Sequence, residues 1–226
     1  MPKQIDIPAV KERNYVGLKD ELKPKKFYSF IKRAFDIFAS LMAIIILSVP
    51  MLIVALIIRS DGGPALYKQT RIGKDGKPFK MYKFRSMIMN ADSPEILEQL
   101  KHLNEMDGPM FKIENDPRIT KFGKFIRRAS IDELPQLFNI LGGSMTVVGP
   151  RPPLVSEVKE FDDYQKQKLL VKQGLTCYWQ CSGRNNILFD EWIELDLKYI
   201  KERGVLTDIG IILKTVPAVF SKNGAQ

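Results

Sequence analysis

The longest apolar run in the chain is AFDIFASLMAIIILSVPMLIVALII, residues 34–58. About 20 apolar residues suffice to cross a bilayer as a helix, so the run predicts a transmembrane anchor or, less well, a buried core helix. Two features speak against a plain span. Pro50 sits inside the run, shortly after Ser48. Proline deletes a helix hydrogen bond and bends the axis, and serine helps re-satisfy the backbone groups it frees within a membrane. Both flanks are also basic: Lys23, Lys25, Lys26, Lys32 and Arg33 precede the run, and Arg59, Lys68, Arg71, Lys74 and Lys77 follow it. The positive-inside rule then asks both ends to face the cytoplasm. One geometry meets all of this, a helix that enters the cytoplasmic leaflet, breaks near Ser48 and Pro50 and returns to the same face. On pattern alone, re-entrance and full spanning both stay open.

Beyond the run, DGGPALYKQTRIGKDGKPFKMYKFRSM alternates turns with short apolar and aromatic pieces. Turns are predicted at Asp61–Pro64 and Lys74–Lys77, and strands around Leu66–Tyr67 and over Phe79–Met87. Residues 93–105 read as a helix, with Ser93 as N-cap and Pro94 in first position. LGGSMTVVGPRPP is strand-like and ends in a proline-stiffened turn, 153–171 reads as one amphipathic helix, and GLTCYWQCSGRNN as a strand and loop. Two further amphipathic helices are expected at 189–203 and 207–221. The first carries Trp192, Ile193, Leu195, Leu197, Tyr199 and Ile200 among charges, which suits packing on the core or lying in a headgroup layer. The resulting class is α+β, mostly helical with a small sheet. Its parts are a polar basic extension (1–26), a membrane helix (27–59) and a cytoplasmic domain (60–226).

Composition narrows the chemistry. The 226 residues are 45% apolar, enough for one core of ordinary size. A formal charge of +9, from 35 Lys and Arg against 26 Asp and Glu, attracts polyanions: nucleic acid, anionic lipid or phosphorylated small molecules. Residues 1–33 are polar and lysine-rich, so no signal peptide is expected there. Cys177 and Cys181 are too few for a disulfide scaffold. With His102 the sole histidine, histidine triads and multi-histidine metal sites are nearly excluded. Acid–base or nucleophilic work falls to carboxylates, Lys, Ser or Tyr.

The stretch RRASIDELPQLFN, residues 127–139, places Asp132 beside Glu133, where each raises the cost of ionising the other. Ser130 and Glu133 have capping-box spacing, and Pro135 suits a helix start, so the acids read first as a helix cap. They also suit chemistry: a carboxylate can attack a phosphoryl group, with its neighbour holding a divalent cation and arginines holding the phosphates. Arg118, Arg127, Arg128, Arg151 and Arg184 lie in separate segments. Arg151 stands between Pro150 and Pro152, so little backbone entropy opposes its clamping an anion. Lys83 and Arg85 alternate with aromatics in YKFRSM, giving a basic strand face. Singly, each reads as well as a solvated surface charge.

The run FKIENDPRITKFGKFIRRASIDELPQLFNILGGSMTVVGPRPP resembles the core of the bacterial sugar transferases, the monotopic phosphoglycosyl transferases. YKFRSM, GLTCYWQCSGRN and the proline-bearing apolar segment fall where that family has them, and the resemblance covers about residues 27–221. It implies transfer of a sugar-1-phosphate from a UDP-sugar to polyprenol (undecaprenyl) phosphate, with Mg²⁺, in the cytoplasmic leaflet of the bacterial inner membrane. It implies release of UMP as well, in what would be the first membrane step of exopolysaccharide or glycoconjugate assembly. Asp132 would be the nucleophile, passing through an aspartyl-phosphosugar, and Glu133 would hold the metal and assist. Arg127, Arg151 and Arg184, with Lys83 and Arg85, would bind substrate phosphates or nucleotide. Ser48-Val49-Pro50 would mark the re-entrant break, placed at Pro50. The cap then becomes the way the acids are held. Nucleic acid is not an implied partner, and a homo-oligomer is left open. Cys177 and Cys181 replace the family's Gly and Val and read as small buried apolar residues. With about 26 residues before the hairpin, a minimal form is expected. NEMDGPMFKI resembles the loop of members that move hexose-1-phosphates, favouring glucose or galactose. Two rivals stand against this reading: a basic membrane scaffold without catalysis, and a glycosyltransferase that releases UDP.

Overall fold

The computed structural model describes residues 17–105, 113, 115–181 and 188–220. After a single turn, α1 (Leu18–Glu21), the apolar run forms α2 (Lys26–Arg59), a helix of 34 residues and about 50 Å at 1.5 Å per residue. The helix is uninterrupted through Pro50, which differs from the break expected at Ser48 and Pro50. One proline removes one rung of the ladder, and Ser48 Oγ donates to Ile45 O at 2.8 Å just before it. The rungs on either side keep the segment helical.

One stripe of α2 faces the rest of the molecule. Asp36 and Ser40 are buried; Ala43, Ile44 and Leu47 pack against Met81, Leu137, Ile140 and Met145; Met51, Val54 and Ile58 pack with Phe84 and Ile126. That spacing of three and four keeps one helical face on the body from Asp36 to Ile58. The opposite face exposes Phe27, Phe30, Phe38, Ile45, Ile46, Val49, Leu52, Ile53 and Leu56. Polar ties lock the amino-terminal half. Lys32 Nζ meets Asp208 Oδ2 at 2.6 Å, Arg33 donates to the carbonyls of Ile140 (2.7 Å) and Leu141 (2.8 Å), and Asp36 accepts from Thr146 Oγ1 (3.0 Å) and Val147 N (2.9 Å).

β1 (Leu66–Ile72) and β2 (Pro78–Phe84) pair antiparallel from Leu66 opposite Phe84 to Ile72 opposite Pro78. Asp75 at φ 55° and Gly76 at φ 75° make the turn expected there. Next come α3 (Pro94–Leu100), with Ser93 accepting from Ile96 N as its N-cap, then α4 (Lys121–Arg128) and α5 (Gln136–Leu141). β3 (Thr146–Val148) pairs parallel with β4 (Gly174–Thr176). A Cβ on Gly174 would lie 2.2 Å from Gly149 N, so these backbones approach as only glycine permits.

The single helix expected over 153–171 is instead α6 (Val155–Glu160), α7 (Asp163–Lys166) and a 3₁₀ turn (Gln167–Leu170). Phe161 is extended, ψ 132°, which sends its ring into the core, and Asp162 restarts the helix by accepting from Gln165 N at 2.8 Å. Where a strand and loop were expected, the strand ends at Thr176 and a helical turn, α8 (Tyr178–Cys181), follows. In α9 (Phe189–Glu202) Trp192, Ile193, Leu195, Leu197, Tyr199 and Ile200 are all buried, which makes it the core helix and not an interfacial one. α10 (Val205–Phe220) packs Ile211 inward and exposes Leu206, Ile209, Leu213 and Val216. Cys177 is fully buried as expected of a small apolar residue; Cys181 is half-buried against Ile211 O and Thr215. Among the described residues the class is thus mostly helical, with two small two-stranded sheets.

Candidate active site

Asp132 and Glu133 sit in a 3₁₀ turn (Ile131–Glu133) between α4 and α5. Ser130 enters that turn in the left-handed region, φ 54°, and its side chain makes no cap bond. N-caps are extended, so the expected capping box does not form. The turn is held by Glu133 N to Ser130 O (3.3 Å) and Leu134 N to Ile131 O (3.1 Å), and Pro135 then opens α5.

Packing places the turn. A Cβ on Gly123 would fall 1.9 Å from Ser86 O, so α4 lies directly on the backbone that follows β2. Thr120 N donates to Ser86 O (3.1 Å), and Thr120 Oγ1 caps α4 by accepting from Gly123 N (2.9 Å). The same approach brings Arg127 Nε to Ser86 Oγ at 2.9 Å. From β2, Lys83 Nζ reaches Glu133 Oε1 at 3.2 Å. Asp132 is buried, at 7% exposure, whereas the Glu133 side chain is 38% exposed. Burial pushes the Asp132 carboxyl up to about 6, and the charge of Glu133 adds to this; Lys83 and Arg127 oppose it. Burial also holds Arg127 below its usual range, with Asp132 restoring part of the loss. The outcome is a desolvated carboxylate under the charge of two cations, with a more exposed acid beside it.

Arg71, which the sequence offered only as flanking charge, belongs to this neighbourhood. It is 5% exposed on β1, donates from Nη1 to Pro152 O (3.0 Å), and forks Nε and Nη2 onto Gln69 Oε1 (2.9 and 2.7 Å). Burial and then the charge of Arg151 push its guanidinium down to about 10, with Glu157 and Glu133 pulling the other way. Arg71 thus links the acids electrostatically to Arg151. Arg151 has its Cζ 5.5 Å from the Trp179 ring centroid and 5.6 Å from that of Trp192, and among the described residues its N–H edge has no hydrogen-bond or ion-pair partner. A planar cation held by its face with its donors unengaged suits a phosphate oxygen pair.

The other expected residues divide. Lys83 and Arg127 gather around the carboxylates. Arg85 is engaged elsewhere: Nε to Pro64 O (2.8 Å), Nη1 to Asp61 (2.8 Å), Nη2 to Ile58 O (3.0 Å) and Asp61 (2.5 Å). Its fork fastens the exit of α2. Arg118 pairs with Asp116 (2.6 Å) and reaches Ala91 O (3.1 Å), and both charges of that pair are felt by Arg127. Arg184 lies outside the described residues, as does most of the NEMDGPMFKI loop. No cluster of three or more His, Cys, Asp or Glu poised for a metal occurs among the described residues. Two adjacent carboxylates nevertheless fit Mg²⁺, which takes one or two carboxylates and completes its shell with water and substrate phosphates.

Comparison with known proteins bears on this arrangement. Residues 27–222 match the family described as bacterial sugar transferase. The chain is 47% identical over 206 residues to the galactosyl transferase CpsE of Streptococcus agalactiae, covering 89% of this chain and 45% of that protein. It is 44% identical over 208 residues to the undecaprenyl-phosphate galactose phosphotransferase of Salmonella typhimurium, covering 89% and 43% respectively. To the exopolysaccharide production protein ExoY of Rhizobium meliloti it is 40% identical over 199 residues, covering 86% and 87%. The chain therefore spans about half the length of the first two relatives and most of the third.

Proposed function

The chain belongs to the bacterial sugar transferase family, and on that premise we propose that it moves a sugar-1-phosphate from a UDP-sugar to polyprenol phosphate, releasing UMP. The observation that carries this reading is Asp132: buried, raised to about 6, and under the charge of Lys83 and Arg127. A carboxylate stripped of water is a stronger nucleophile than a solvated one, and at cytoplasmic pH this one is mostly ionised. An Asp132 oxygen attacks the sugar-bearing phosphorus of the diphosphate, the phosphoanhydride bond breaks, and UMP leaves with the electron pair. A phosphate oxygen of the polyprenol phosphate then attacks the same phosphorus, and the Asp132 carboxylate departs unchanged. Arg127 and Lys83 balance charge at the reacting phosphoryl group, and Arg151 takes the outer phosphate oxygens. Glu133, with its more exposed oxygens, would hold Mg²⁺, which when bound neutralises diphosphate oxygens.

The relative named for undecaprenyl phosphate and galactose supports that acceptor and a hexose-1-phosphate. Membrane association rests on α2, which is long and apolar enough to cross a bilayer. A monotopic seat in the cytoplasmic leaflet is the reading its contacts favour. One face packs on the same body from Asp36 to Ile58, and polar ties reach that body from Lys32 at one end and to Ile58 O at the other. A helix crossing about 30 Å of hydrocarbon would have to leave that body on one side.

The test is incubation with labelled UDP-galactose without acceptor, followed by mass spectrometric mapping and nucleotide analysis. A phosphosugar on Asp132 with UMP released, both lost in Asp132→Asn, is expected. UDP as the product would place the chain among ordinary glycosyl transferases, and an adduct on another residue would displace Asp132.

A further inference from the structure

Away from the carboxylates, one ion pair among the described residues is buried completely. Lys168 in the Gln167–Leu170 turn and Asp196 on α9 are both 0% exposed, with Nζ and Oδ2 2.8 Å apart. Neither group has a well-aligned hydrogen bond among the described residues; the contact is an ion pair by distance with poor hydrogen-bond angles. Such a pair loses more to desolvation than one contact returns, and apolar residues of equal volume often serve stability as well. Its surroundings suggest a different use. Lys168 Nζ lies 4.3 Å from the Trp192 ring centroid. Trp192 stacks with Trp179 at 5.1 Å and 28°. Arg151 completes the column at 5.5 and 5.6 Å from the two rings, and Asp196 feels its charge as well as that of Lys168.

The structure assigns Lys168 and Asp196 a positioning role: through Trp192 and Trp179 they set the plane of Arg151, so that its free N–H edge is presented to the diphosphate of the donor. This rests on Arg151 as a phosphate ligand. Cation–π contact holds the guanidinium by its face and leaves the edge donors available. The carboxylate that neutralises Lys168 lets two cations share one indole without mutual repulsion. Fixing a long side chain before the ligand arrives lowers the entropy lost on binding. The effect should therefore appear in donor affinity more than in the chemical step.

The chain has two tryptophans, both in this column, so tryptophan emission excited beyond the tyrosine band reports on it alone. Full-length protein in detergent is titrated with UDP while tryptophan emission is read, and donor KM and kcat are measured alongside. UDP should change the emission of the wild-type protein. Lys168→Met/Asp196→Leu, which removes both charges and nearly keeps the side-chain outlines, should shift the emission of the free protein and raise donor KM about tenfold with kcat within about twofold. Wild-type emission and KM in that variant would overturn the positioning role. Should it not fold, Trp179→Leu, half-buried and clear of the ion pair, should raise KM in the same way, and an unchanged KM there would also overturn it. Arg151→Ala separates this inference from its premise. An unchanged donor KM in Arg151→Ala would remove Arg151 as a phosphate ligand, whatever the ion pair does.

Discussion

Replacing Asp132 by Asn should stabilise the protein while abolishing transfer, and the gain should depend on pH. The carboxyl stands at about 6 in the folded chain against an ordinary 3.8. Because the folded value is the higher one, the folded state binds its proton more tightly. Below about pH 3.8 the native protein carries no penalty at this site. As pH rises from there through 6, the penalty grows, and above 6 it is complete. A shift of about two units at about 1.4 kcal/mol each gives close to 3 kcal/mol. Asn keeps the shape and cannot ionise, so it escapes that cost. For a chain of this size, roughly 2–4 °C accompanies each kcal/mol, and the variant should melt about 6–12 °C above wild type at pH 7.5. The two should converge by about pH 4. Thermal melts of the detergent-solubilised proteins between pH 4 and 8 measure the gap. A gap that is flat with pH, or that favours wild type at neutral pH, would mean Asp132 is not a desolvated carboxylate in the folded protein, and the reasoning for it as nucleophile would fail with it.

Gly123→Ala should lower stability by about 3 kcal/mol and weaken catalysis, because a methyl group 1.9 Å from Ser86 O pushes α4 and Arg127 off the strand; a melting temperature within 2 °C of wild type would show that this approach is not tight. Single cysteines at positions 20 and 75 should both resist an impermeant thiol reagent in intact cells, as expected if both flanks of α2 lie on the cytoplasmic side; labelling of either from outside would refute the proposed monotopic seat.

Local rules recovered much of the fold. Ser93 with Pro94 announced α3, the Lys74–Lys77 turn announced the β1–β2 hairpin, and the apolar spacing of 189–200 announced α9. What failed depended on contacts far along the chain. The helix over 153–171 breaks because Phe161 is drawn into a core built with α9, and Asp162 is placed to start again. The capping box failed because Ser130 is forced to a positive φ by the tight passage from α4 into the acid turn. At the site, the acid pair and the two cations on it were legible as a motif. Arg71 was not, since its partner Pro152 O lies 81 residues away, and a lone arginine in a strand carries no local mark of burial. Lys168 and Asp196 likewise carry no local mark of burial; it is the fold that brings them together.

The polar ties of α2 carry a consequence for how the molecule is made. Tyr28, Lys32, Arg33 and Asp36 find their partners at Ile140, Leu141, Thr146, Val147, Tyr199 and Asp208. These four residues leave the ribosome more than a hundred residues ahead of their partners. During that interval its carboxylate and cations have no counterparts, so the contacts that fix the amino-terminal half of α2 form late in synthesis. The packing of α2 against its own domain is completed only once translation has passed Asp208, so the first long element of the chain is among the last to be fixed.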